Sequence, residues 1–155
     1  MSRMPIASAM AVIATVQAQI QFGGEESAMH RVTGSFDVKL APLAAYHQDD
    51  TALGRFSIDK QFHGGLEAIS KGEMLSAGGS AGSGGYVAIE RVTGTLNGHS
   101  GSFVLQHNAT MDSGKPQLNI IVVPGSGSGE LTGIAGTMDI IIDKGNHSYV
   151  LEYAL

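Results

Sequence analysis

The chain has 155 residues, enough for one domain with a proper core and not for two. Its net charge of −5 and scattered Lys and Arg residues exclude a phosphate track or an anionic-membrane patch. With no Cys, disulfides, thiolate metal sites and Cys nucleophiles are excluded as well.

Residues 1–29 read as an N-terminal leader, with residues 30–155 as the folded domain. Arg3, the apolar run from Pro5 to Val16, and Val16-Gln17-Ala18 fit a secretory signal peptide ending at about residue 18. That run is too short to span a bilayer as a mature helix. The expectation is a periplasmic or secreted protein if this segment is a signal, and a cytoplasmic one otherwise.

From Val32 to Leu40 the even positions are apolar or Gly and the odd ones polar, the period-two pattern of a half-buried strand. A loop with Pro42, His47, Asp49 and Asp50 follows. Phe56, Ile58 and Phe62 then alternate with Ser57, Asp59 and Gln61. A three-residue loop over His63, Gly64 and Gly65 is expected to pair Phe62 with Leu66, with Gly65 in the left-handed conformation. The next strand runs through Leu66, Ala68, Ser70 and Met74.

The Gly-rich stretch from Ser76 to Gly85 reads as a flexible hairpin loop. Neither it nor Gly125 to Gly129 fits a nucleotide-binding glycine motif. Tyr86 to Leu96 and Gly101 to Ala109 form the clearest hairpin, with Asn97-Gly98 as a type I′ turn. A turn from Met111 to Lys115 precedes strands at Leu118–Val123 and Thr137–Asp143. A Lys144-Gly145 turn leads to the last strand, His147–Leu155. Proline is read as absent from every strand.

Eight strands, no amphipathic helix and alternating faces predict an all-β protein. The architecture expected is a single closed antiparallel β-barrel of about eight strands, since closure removes exposed edges.

The stretch Gly85-Tyr86-Val87-Ala88-Ile89-Glu90-Arg91-Val92-Thr93-Gly94-Thr95-Leu96 resembles a bacterial domain-of-unknown-function family (DUF3224). So do Gly98 to His107 and Val123 to Leu131, and the likeness extends from about His30 to Leu155. Members of that family resemble allene oxide cyclase-like barrels. The run from Gly127 to Gly136 is similar to the Gly-spaced turn of allene oxide cyclases and dirigent proteins, where Phe is usual at the place of Leu131. The resemblance implies the barrel and no activity, because fold does not fix function. No catalytic residues of the family carry over, and no match to the cyclase's substrate site is present.

The Asn97-Gly98 turn sets the hairpin register. Val92 should face Phe103, Glu90 should face Leu105 and Ala88 should face His107. Tyr86, Ala88, Glu90, Val92, Phe103, Leu105 and His107 then share the inner face. Val87, Ile89, Arg91 and Val104 lie outside, where a subunit interface of a homo-oligomer would cover their apolar surface.

Glu90 and His107 become diagonal neighbours, and Lys60, in phase with Phe56 and Phe62, points the same way. These groups could move protons, so Glu90 and His107 are the candidate catalytic pair. Lys60, Tyr86, Glu90, Phe103, His107 and Tyr149 are the candidate ligand-binding residues. Alternatively Glu90 and Lys60 neutralise each other or reach water at the barrel mouth, and His107 satisfies a backbone carbonyl.

The six His residues show no metal-ligand spacing, no Ser sits on a nucleophile elbow, and no cofactor motif is present. Three functions stay open: a module binding a small apolar ligand in the barrel, a cofactor-free isomerase or cyclase using Glu90 and His107, and an interaction protein with a packed interior.

Overall fold

The computed structural model of the protein describes residues 27–47, 49 and 52–155. The proposed signal peptide lies outside them. Among the described residues there is no helix, and hence none long and apolar enough to cross a membrane.

Nine strands follow in chain order: β1 (Met29–Pro42), β2 (Leu53–Gly64), β3 (Leu66–Gly78), β4 (Gly84–Leu96), β5 (His99–Asp112), β6 (Lys115–Val122), β7 (Ser128–Gly129), β8 (Ala135–Asp143) and β9 (Asn146–Ala154). Eight of them close antiparallel into a barrel, in which β4 pairs with β5 and β1 with β9. The two-residue β7 adds to β5 through Gly101↔Gly129 and Ser102↔Ser128.

Closure follows from the alternation, because every even-faced apolar side chain of β1 to β4 must find the same interior. Phe36, Phe62, Leu66, Val92, Phe103, Leu105, Ile120 and Leu151 are buried in one core, with Ile140 partly buried against it. The outer face keeps Ile69, Leu75, Val87 and Ile89 about half exposed.

The β4–β5 register is the expected one: Val92↔Phe103, Glu90↔Leu105 and Ala88↔His107 are partners. Both turn residues have positive φ, Asn97 at 49° and Gly98 at 84°. That conformation matches the strand twist in a two-residue type I′ turn. Ser113-Gly114 and Lys144-Gly145 repeat it.

Four local expectations need correction. Phe62 pairs with Ala68, not Leu66, and it is Gly64 (φ 109°) that takes the left-handed conformation in place of Gly65. The turn is tightened by contacts from outside it. The Glu67 carboxylate accepts the Gly64 N–H at 2.7 Å. Gly65 donates to Thr33 and accepts from Asn97, which pins it between β1 and the β4–β5 turn. The shift is two residues, so the inner face is preserved.

Half of the Gly-rich stretch is strand, and residues 79–83 alone form the connection between β3 and β4. Proline is not excluded from the strands, since Pro42 ends β1 and Pro116 is the second residue of β6. Pro116 pairs with Met111 next to the closing pair Asp112↔Lys115. It thus occupies a non-hydrogen-bonded position, where a missing N–H costs this ladder nothing.

Finally, the segment after β6 is more than a connection. Leu131 and Ile134 are buried and plug the end of the barrel beneath Phe62 and Phe103. The opposite end carries the 79–83, 113–114 and 144–145 connections, and among the described residues none plugs it.

Candidate functional site

At the unplugged end the interior opens into a cavity of about 650 Å³. Its walls are mainly apolar, from Phe36, Val38, Ile58, Met74, Leu118 and Ile140, and its polar groups come from Lys60, Tyr86, His107 and His147. Beneath it lies Glu90, fully buried on β4 (0% exposed).

Three strands bring the polar cluster together. Lys60 on β2 is opposite Ser70 on β3, and Gly72 on β3 is opposite Glu90 on β4. A Cβ at Gly72 would sit 2.6 Å from Glu90 Cα, so glycine lets β3 close over this residue. The Glu90 Oε1 accepts from Lys60 Nζ at 2.8 Å and from His107 Nε2 at 3.1 Å. Its Oε2 accepts from Ser70 Oγ at 3.0 Å. Lys60 Nζ also lies over the rings of Phe36 (5.0 Å) and Phe62 (5.7 Å), which favours a cation there.

Burial pushes the Glu90 carboxyl upward, but the His107 hydrogen bond and the Lys60 charge outweigh it. The net effect holds the group below its ordinary value, as a carboxylate. His107 therefore donates through Nε2. Its Nδ1 is buried and has no hydrogen-bond partner. Burial first, then the Glu90 charge, raises the Tyr86 phenol above its ordinary value.

Of the residues singled out from the sequence, Glu90, His107 and Lys60 meet in one cluster, and Tyr86 stands beside it, its ring 6.3 Å from that of His107. Arg91 is exposed on the outer face. His107 bonds to Glu90 instead of a backbone carbonyl.

Phe103 and Tyr149, also read as ligand-binding candidates, are not among the residues that line this cavity. Phe103 is fully buried against the plugged end. The Tyr149 hydroxyl is held against the β2–β3 turn, at the plugged end of the barrel. It accepts from the Leu66 N–H at 2.9 Å and lies 3.0 Å from the His63 carbonyl. A Cβ at Gly34 would fall 2.6 Å from that hydroxyl, so glycine again makes the room. Burial raises the Tyr149 phenol, the Leu66 bond opposes this, and the Glu67 charge adds to the rise.

Two site residues were missed. Ser70 is in phase with Leu66 and Ala68, and its small hydroxyl gave no reason to single it out. His147 packs its ring on Phe36 at 5.1 Å, and its pairing with Ile142 across β8–β9 places it at the mouth. Among the described residues no group of His, Asp and Glu is placed to hold a metal ion.

Comparison with curated proteins returns no match. Among solved structures, the chain is similar to a DUF3224-family protein of unknown function from Shewanella oneidensis MR-1. The two share 53% identity over 83% of this chain and 98% of that one, with a TM-score of 0.78. The family model described as "Protein of unknown function (DUF3224)" matches residues 32–153, and this chain, a β-barrel with a buried Lys60–Glu90–His107 cluster under its open end, belongs to that family.

Proposed function

We propose that the protein binds a small, largely apolar molecule in the open end of the barrel, with the molecule's polar end at the Lys60–Glu90–His107 cluster. One observation carries this reading: an apolar cavity of about 650 Å³ that ends on charged and imidazole groups. That size falls within the range of ligand pockets, and a few convergent polar groups in an apolar wall are what orient a ligand. The same cavity tells against a barrel packed shut as an interaction module.

The test is titration with Nile red, a neutral fluorophore without hydrogen-bond donors. One saturable site per chain is expected in the wild type. Ala88 is buried in the cavity wall, so Ala88→Trp should fill the space and weaken binding at least about tenfold while the β-sheet circular dichroism is retained. Absence of binding, or dye binding that Ala88→Trp leaves unchanged, overturns the proposal. The unchanged case would move the dye to the apolar outer face around Val87 and Ile89.

A second reading is a cofactor-free isomerase or cyclase. It is favoured by His107, which touches both the cavity and the Glu90 carboxylate, as an acid–base group held by an orienting partner would. It stands second because both Glu90 oxygens are already occupied and neither opens onto the cavity wall.

A further inference from the structure

We infer that the molecule held in the cavity is neutral and carries a hydrogen-bond donor, a hydroxyl or an N–H, that engages Nδ1 of His107. The inference rests on the ligand-binding reading above and adds the chemistry of the occupant.

His107 is 3% exposed and borders the cavity. Among the described residues, its Nδ1 is the one buried side-chain nitrogen or oxygen without a partner. Buried polar atoms are almost always paired, so an orphan on a residue that borders a cavity points to a group supplied from outside the chain.

The kind of group follows from the other ring nitrogen. Nε2 faces Glu90 Oε1 at 3.1 Å, and a carboxylate oxygen only accepts, so Nε2 keeps its proton. An imidazole carrying one proton there has a lone pair at Nδ1 and needs a donor.

An acidic ligand fits worse. The cluster's one ammonium, Lys60, is already matched by the one carboxylate at 2.8 Å. A second carboxylate would lie close to Glu90, and among the described residues that border the cavity the one ammonium, Lys60, is already paired. The apolar walls, from Phe36, Ile58 and Met74, suit an aliphatic or ring body behind the donor.

Three probes of one chain length separate the possibilities: 1-decanol, its methyl ether and decanoate, titrated calorimetrically into the full chain. Decanol should bind about five- to tenfold tighter than the ether, the net worth of one hydrogen bond, and tighter than decanoate. His107→Phe should bring decanol and ether within about twofold of each other without abolishing either.

Nitrogen NMR of wild-type His107 provides a readout that does not depend on a variant folding. Decanol should move the Nδ1 resonance out of the unprotonated, pyridine-type range toward a hydrogen-bonded one and leave Nε2 in place, and the ether should move neither. Equal affinity for alcohol and ether in the wild type overturns the inference. So does tightest binding by decanoate, which would require Nδ1 to be a donor. Failure of all three probes to bind instead removes the ligand-binding reading on which the inference stands, a pattern distinct from the other two.

Discussion

Glu90 carries a full charge with no contact with water, and three donors hold it: Lys60, His107 and Ser70. Removing the charge leaves Lys60 buried without its counter-ion. Glu90→Gln should therefore cost about 3–5 kcal/mol near neutral pH, measured by urea denaturation. The pH dependence has a definite sign. The folded carboxyl lies below its ordinary value of 4.5, so the folded state binds fewer protons than the unfolded chain as the pH drops below 4.5. Its contribution is present above 4.5 and is lost as the pH falls from there through the lower folded value. The gap in stability between wild type and Glu90→Gln should be constant above about pH 6 and shrink in acid. A gap that widens in acid would contradict the arrangement. At the plugged end, Phe103 is fully buried between β4 and the Leu131–Ile134 plug. Phe103→Ala should cost about 3–5 kcal/mol, as for other core aromatics, with the same assay.

Among the strand pairs of the barrel, β6 and β8 are the weakest. They meet in register only at Ile121↔Thr137, whereas β4 and β5 pair from Gly84↔Met111 to Leu96↔His99. Part of the cause is chemical. Pro116 lacks an N–H, and its position in the β5–β6 ladder directs that missing donor toward β8. Beyond the single pair, Leu118 and Ile140 both border the cavity without a ladder between their strands. Hydrogen exchange should show amides of β6 and β8 that point across this seam exchanging on the order of 100-fold faster than those between β4 and β5. Equal protection would mean that the ladder continues. In the β3–β4 pair, Gly72→Ala should cost about 1–3 kcal/mol, since the added Cβ meets the Glu90 backbone.

At the scale of the molecule, closure leaves the barrel without a long free edge, and β9 is the stave that completes it by pairing with both β1 and β8. A chain ending at Asp143 would expose both of those edges and lose Tyr149 and Leu151 from the core. Such a chain should lose the dispersed amide spectrum of the full protein and self-associate through its open edges. A monomeric truncated chain with native dispersion would show that closure is not required for the fold.

The sequence by itself determined the strands, their faces and the β4–β5 register. The physical reason is local: alternation assigns each side chain to a face, and a two-residue Asn-Gly turn admits one pairing. From these alone Glu90, His107 and Lys60 could be placed together inside. What only the tertiary structure decided lies where distant segments meet. The β2–β3 turn took its register from Thr33, Asn97 and Tyr149, none of which is near it in the chain. The plug formed by Leu131 and Ile134 follows no strand period, so its burial shows only once the barrel exists to receive it. Phe103 and Tyr149 share the inner face with His107 but lie deeper, because a face fixes direction and not depth along the barrel. Ser70 and His147 joined the site only through the side-by-side packing of strands, which no single stretch of sequence contains.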